Sequence, residues 1–266
     1  MTGARRPLPV ALQLYTLRAQ ITDADSFRAT IHEVGEMGYD GVQFYSYAGL
    51  DASAMRSLLA DAGVKPAGTH VALETLETDL DRELDYNGEI GNRWIYAPYL
   101  MPARRQDLAG WRQAAASLNQ IGARCREQGF TFGYHNHDFE YAPIPDAPHL
   151  TGIDIVIGET DPANVCFEPD VFWVAKGGAD PVAALRAHAG RIPIIHCKDM
   201  TGDDRRTFAE VGTGILDWSG ILDAADVGKV EWHCVEQDAG DRPMADCART
   251  SIRNMRSWGM GLKGRS

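Results

Sequence analysis

Nothing in this sequence approaches the roughly 18 consecutive apolar residues of a membrane-spanning helix, so no membrane span is expected. Cysteine is sparse too: Cys125, Cys166, Cys197, Cys234 and Cys247 are scattered, and none forms a C-x-x-C pair. An odd, dispersed set favours reduced, mostly buried thiols in a cytoplasmic protein. No G-x-G-x-x-G or P-loop follows the first apolar segment, and Gly212-Thr213-Gly214 is too short and too late to serve as one. Basic charge is the remaining shortage. Lys and Arg number 26 against 37 Asp and Glu, for a net charge of −11 with no basic stripe. That balance argues against a general affinity for nucleic acid or anionic membrane. Arg5-Arg6 ahead of an apolar stretch imitates a signal peptide, but the stretch is short, holds Pro7 and Pro9, and lacks a small-residue cleavage site.

What is present suits a globular protein with a substantial core: 266 residues, 44% hydrophobic and 24% charged. Short apolar segments alternate with amphipathic ones. Strands are expected at 10–15, 42–45, 65–71, 94–97, 129–132, 164–167, 192–196 and 229–235. Helices are expected at 23–37, 51–62, 73–90, 107–128, near 150–158, and at 181–188, 215–225 and 244–258, with 142–148 as a loop. No linker, charge block or composition shift divides the chain, so residues 1–266 are expected to form one domain. Strand-then-helix repeated about eight times is the signature of an α/β fold, a single (β/α)8 TIM barrel. An open doubly wound sheet is the alternative, weakened by the missing phosphate loop.

In a barrel the carboxyl ends of all strands converge on one face, where catalytic residues gather. The fifth strand ends in Gly133-Tyr134-His135-Asn136-His137-Asp138-Phe139-Glu140, the sixth in Phe167-Glu168-Pro169-Asp170, the seventh in His196-Cys197-Lys198-Asp199 and the eighth in Val235-Glu236-Gln237-Asp238. An imidazole or carboxylate therefore stands at each of four successive strand ends. Singly, each has a plain alternative: His135 as a hydrogen-bonded loop residue, Asp170 as a helix cap, His196 as packing, Glu236 as the partner of Lys198. Together they favour a site. Mixed nitrogen and oxygen donors suit a divalent ion such as Mn²⁺, Mg²⁺, Co²⁺ or Zn²⁺. Asp199 and Glu210 read equally as orienting groups or ordinary loop carboxylates.

Six short motifs carry a resemblance: Gln13-Leu14-Tyr15, the turn 38–42, the run 133–139, His196–Asp199, Glu210–Gly214 and Val235–Asp238. In this order they resemble the sugar phosphate isomerase/epimerase family of the xylose isomerase-like TIM barrel superfamily, in its YHNHDFE branch, over about residues 9–258. The resemblance implies metal ligands from strands five to eight, which fall here on His135, Asp170, His196 and Glu236. It departs at His135, where the family carries glutamate. It departs again at Trp173, where ketose 3-epimerases carry a histidine, and at Gln43, where many relatives carry glutamate.

The implied chemistry is proton abstraction next to a sugar carbonyl, with Glu236 or His135 as the base. Isomerisation or epimerisation follows from returning the proton elsewhere. Elimination, as in relatives that resemble inosose dehydratase or 3-keto-glycoside lyases, is the alternative. Gln13, Tyr15, His70, Tyr96, His137, Trp173 and Lys198 are the candidate substrate contacts, and the substrate is a small carbohydrate, a keto-sugar or 3-keto-glycoside derivative. A metal-dependent endonuclease fits poorly with the acidic charge. A non-catalytic sugar-binding barrel is the further alternative. A homodimer is expected from the resemblance.

Overall fold

The computed structural model describes residues 6–262, so Arg5 of the opening basic pair lies outside the described residues. Its frame is eight parallel strands: β1 (Val10–Gln13), β2 (Gly41–Phe44), β3 (Lys65–His70), β4 (Trp94–Ala97), β5 (Thr131–His135), β6 (Cys166–Glu168), β7 (Ile194–Cys197) and β8 (Trp232–Val235). Their order around the sheet is β6-β5-β4-β3-β2-β1-β8-β7, all parallel. The ends β6 and β7 meet through a parallel bridge between Asp170 and His196 and a bond from the His196 N–H to the Pro169 carbonyl at 2.9 Å. Pro169 has no N–H to give a ladder, which accounts for the thin seam. The seam sets the Asp170 and His196 backbones side by side.

Helices α1 (Ala24–Met37), α2 (Ala52–Asp61), α3 (Leu73–Glu89), α4 (Leu108–Glu127), α5 (Gly152–Gly158), α6 (Val171–Lys176), α7 (Pro181–Ala187), α8 (Trp218–Gly228) and α9 (Met244–Ser257) follow the strands. Aspartate starts many of them: Asp23, Asp51, Asp107, Asp170, Asp180 and Asp217 each accept a backbone N–H of the first turn. Each such cap is worth about 1 kcal/mol. The main apolar core lies between the strands and this helical layer. A second, smaller cluster of Ala11, Ala67, Tyr96, Cys166, Ile194, Trp232 and Cys234 joins inward residues of different strands and fills the barrel interior. At Gly133 a Cβ would stand 2.4 Å from Cys166 Sγ and 2.7 Å from the Tyr96 ring, so only glycine leaves that filling room.

Several boundaries differ from the sequence-based expectation. Leu14 and Tyr15 turn into a 3-10 helix (Leu14–Gln20) instead of continuing the strand. Residues 142–148 are not wholly a loop, because Pro143–Ile144 pairs antiparallel with Ala147–Thr151. Helix α6 has no counterpart in the expected elements; with only six residues, its apolar run is too short to show a helical period. The last strand begins at Trp232 rather than Lys229, since α8 runs on to Gly228 and Lys229 caps it in the left-handed conformation at φ 59°.

Candidate metal and substrate site

The mouth of the barrel carries two stacked layers of polar side chains with His135 and His196 between them. The lower layer is built around Glu168, which is fully buried at the end of β6. Glu168 Oε1 accepts from Gln43 Nε2 at 2.6 Å, and Oε2 lies 2.7 Å from His70 Nε2, 3.2 Å from His135 Nδ1 and 3.2 Å from His196 Nε2. Gln13 Nε2 donates to Gln43 Oε1 at 2.7 Å, and the same oxygen sits 2.8 Å from His196 Nε2. Burial alone would push the Glu168 pKa up. The surrounding imidazoles of His196, His70 and His135 outweigh it and hold the carboxyl well below the usual range.

The upper layer is Asp170, Lys198, Glu236 and Asp238. The Lys198 ammonium is buried, 3.0 Å from Asp170 Oδ2, 3.0 Å from Glu236 Oε2 and 2.7 Å from Asp238 Oδ2. Burial would lower its pKa, but the three carboxylates raise it well above the lysine norm, so it stays charged. Asp170 is a cap and a site residue at once. Its Oδ1 accepts from the N–H groups of Phe172 and Trp173, while Oδ2, though near Lys198, has no aligned hydrogen-bond partner among the described residues. Burial lifts the Asp170 pKa to about 6.

The two histidines differ electrostatically. Burial, and then repulsion from His196, hold the His135 pKa well below normal, so its ring is neutral. Burial also opposes charge on His196, but Glu168 more than compensates and raises its pKa well above normal. His196 Nδ1 meanwhile lies 3.1 Å from Glu236 Oε2.

One donor atom from each of His135, Asp170, His196 and Glu236 lies within 4.8 Å of the others, and a second set meeting the same limit is His70, His135, Glu168 and His196. The mixture of imidazole nitrogen and carboxylate oxygen fits a divalent ion, with Lys198 supplying the positive charge beside Asp170 and Glu236.

Above these layers opens a cavity of about 420 Å³ lined by Tyr15, Tyr45, His70, Tyr99, His135, His137, Glu236 and Asp238, among others. Tyr15, His70 and His137 thus line it. The His137 ring packs 5.2 Å from Trp173, its Nδ1 has no hydrogen-bond partner among the described residues, and burial lowers its pKa to about 3. Trp173 and Lys198 stand behind the lining, with Lys198 Nζ 5.4 Å from the Trp173 ring. Gln13 and Tyr96 sit elsewhere than on the cavity wall. Gln13 is tied to Gln43 in the floor, and Tyr96 is fully buried in the barrel filling against Gly133. Glu168 is the residue that sequence reasoning passed over. Its signal was a carboxylate in register with His135 inside an otherwise apolar strand. Asp199 proves to be a loop organiser: it accepts from the backbone of Gly212, Gly214 and Leu216 and from Trp218 Nε1 at 2.7–3.2 Å. Gly214 is required there, since a Cβ would fall 2.2 Å from the Met200 carbonyl.

A parallel barrel whose strand ends gather imidazoles and carboxylates around one cavity defines a metal-capable (β/α)8 barrel. The chain belongs to the xylose isomerase-like TIM barrel family, whose model matches residues 31–258. Among curated relatives, inosose dehydratase of Geobacillus thermodenitrificans is 25% identical over 48% of this chain and 47% of its own length. The chain therefore spans about half the length of the first curated relatives it matches. Among solved structures, a sugar phosphate isomerase/epimerase from Parabacteroides distasonis superposes with a TM-score of 0.82 at 19% identity, covering 96% of each chain. The IOLI protein, solved with a bound zinc atom, superposes at 0.73 with 14% identity, over 95% of this chain and 98% of its own. At these identities the structural likeness concerns the fold.

Proposed function

We propose that this protein is a divalent-metal-dependent enzyme that removes a proton next to the carbonyl of a keto-sugar or 3-keto-glycoside and returns it elsewhere, as an isomerase or epimerase. The observation that carries this reading is the convergence of His135, Asp170, His196 and Glu236, of which His135 and Glu236 line the mouth cavity. These four would hold the ion, which when bound supplies stabilisation of the negative charge that develops at the carbonyl oxygen. The chain's own groups do the rest. Glu236, held ionised by Lys198 and His196 against the effect of burial, faces the cavity and is placed to take the proton. His135, neutral and buried, would serve as a nitrogen ligand of that ion with its Nδ1 toward Glu168, which leaves the proton transfer to Glu236. Tyr15, Tyr45 and Tyr99 give the cavity apolar faces for the carbon side of a sugar ring.

The second reading is elimination on the same site, as a lyase or dehydratase. It is supported by His135, where the resemblance implies a second glutamate, and by the inosose dehydratases among the relatives. The proton would pass to Glu236, and the oxygen substituent on the adjacent carbon would depart with its bonding electrons, taking up the proton that Glu236 had removed. The cytoplasm is the compartment we propose, supported by five buried, unpaired cysteines.

The test is incubation of the Mn²⁺-loaded protein with methyl 3-keto-glucoside and with an inosose in deuterated water. Deuterium incorporation without loss of the substituent supports the isomerase reading, and loss of the substituent supports the lyase. Neither, on either compound, would overturn both.

A further inference from the structure

The mouth cavity has a larger neighbour. A second cavity of about 650 Å³ lies between the loop after β2, the end of β3 and helix α3, and shares Tyr45, His70 and Ala72 with the first. Each is of the size that accepts a small organic ligand, roughly 300–1,000 Å³. The reaction as proposed uses only the inner one.

The outer cavity is built with care for shape. Tyr47 and Tyr86 stack in its wall with ring centres 3.9 Å apart, and the Tyr86 hydroxyl donates to the Leu50 carbonyl at 3.0 Å. The loop after β2, just past Tyr47, carries Ala48 at φ 51° and Gly49 at φ 75°. A left-handed alanine costs about 1 kcal/mol and persists where its surroundings fix it. Glu83 is 7% exposed and lines the same cavity. Its Oε2 accepts from the Tyr47 hydroxyl at 2.8 Å, and that hydroxyl accepts in turn from Asn87 Nδ2 at 2.8 Å. Glu83 Oε1 has no hydrogen-bond partner among the described residues. A carboxylate that lines an aromatic-walled cavity with one oxygen committed to Tyr47 keeps acceptor capacity for a hydroxyl donor.

Charge narrows the occupant. Asp51 and Glu83 both line the cavity, while Arg82 is largely solvent-exposed and already lies 3.2 Å from Asp79. A phosphate would meet two carboxylates and a cation that is spoken for.

We propose that this outer cavity is a second-ring subsite. It takes a neutral, hydroxylated ring joined through a glycosidic oxygen to the ring that reacts in the inner cavity, with Glu83 Oε1 accepting one of its hydroxyls and Tyr45, Tyr47 and Tyr86 providing its apolar wall. The linkage passes His70, where the two cavities meet. The inference rests on the reading of the inner cavity as a keto-sugar site and makes the substrate a two-ring glycoside.

The test compares methyl 3-keto-glucoside, the glucosyl 3-keto-glucoside of the same linkage, and 3-keto-glucose 1-phosphate. Binding to the Mn²⁺-loaded protein is followed by calorimetry and proton removal by solvent deuterium exchange. The glucosyl compound should bind at least about tenfold more tightly than the methyl one. Thr75→Trp, at a half-buried position lining the outer cavity, should erase that difference while leaving deuterium exchange on the methyl compound intact. Glu83→Gln, which keeps an oxygen for Tyr47 but turns the cavity-facing acceptor into a donor, should reduce it. Equal binding of the methyl and glucosyl compounds, tightest binding of the phosphate, or an undiminished advantage in Thr75→Trp would each overturn the subsite. A glucosyl advantage without deuterium exchange would uphold the subsite and refute the proposed chemistry instead.

Discussion

Glu168 and His196 are locked to one another beneath the mouth cavity: Glu168 Oε2 lies 3.2 Å from His196 Nε2, and both residues are fully buried. The same oxygen lies 3.2 Å from His135 Nδ1. A carboxylate on the far side of a ligating imidazole fixes which nitrogen carries the proton and raises the basicity of the other. Here it leaves His135 Nε2 and His196 Nδ1 turned away from Glu168. Glu168→Gln should therefore weaken divalent-metal affinity by about 10- to 100-fold with all four proposed ligands intact. Isothermal titration with Mn²⁺ reads this directly, and an unchanged affinity would contradict the role given to Glu168.

Lys198 is the counter-charge of the upper layer. Its removal leaves Asp170, Glu236 and Asp238 facing one another in a buried setting, and breaking a buried ion pair from one side costs about 3–5 kcal/mol. Lys198→Met should lower the melting temperature of the metal-free protein markedly. Saturating Mn²⁺ should restore more of the loss than it adds to the wild type, because the ion replaces the missing positive charge. An equal metal-induced shift in both proteins would argue that the ion does not meet these carboxylates.

Glu140 gives the fold a pH dependence separate from the metal. It is fully buried, accepts from the Tyr134 hydroxyl at 2.5 Å and the His137 N–H at 2.8 Å, and burial raises its pKa from the ordinary 4.5 to about 7. The folded state thus holds a proton that the unfolded chain has released between those values. Stability from this group is complete below the unfolded pKa and falls as pH rises toward 7, by on the order of 3 kcal/mol. Glu140→Gln should remove that slope while costing about 1 kcal/mol at low pH, since an amide has only one oxygen for two donors. Urea unfolding at pH 5 and pH 7.5 measures both.

Much of this was legible beforehand, and the reason is periodicity. Parallel strands buried on both faces read as short apolar runs, and a chemical residue at the end of such a run stands out, as His135, His196 and Glu236 do. Glu168 did not stand out. It sits inside the last turn of an apolar strand beside Asp170, and only barrel closure brings three imidazoles from β3, β5 and β7 around it. Tyr96 illustrates the converse. Its place at the end of a strand suggested a substrate contact, but the void over Gly133 draws the ring into the barrel filling. Nor could the outer cavity be read from the chain, because it depends on a left-handed alanine and on a tyrosine pair 39 positions apart, Tyr47 and Tyr86.

Asp199 tests the architecture around the mouth without touching the cavity. Its two oxygens gather the N–H groups of Gly212, Gly214 and Leu216 and the indole of Trp218, and hydrogen bonds to a charged group contribute about 1.5–3 kcal/mol each before non-additivity. Asp199→Asn should destabilise the protein by a few kcal/mol on that scale and speed amide hydrogen exchange at residues 212–216. Retained protection there would show that the loop is held by other contacts.

The most direct test of the account is the metal content of the purified protein, measured beside Asp170→Ala, His196→Ala and Glu236→Ala after incubation with Mn²⁺, Co²⁺, Mg²⁺ or Zn²⁺. The account predicts about one equivalent in the wild type and loss of it in each variant while the variants remain folded by circular dichroism. A wild-type protein that stays empty in all four ions, or variants that bind as well as it does, would contradict the metal site and with it the chemistry proposed for the cavity above.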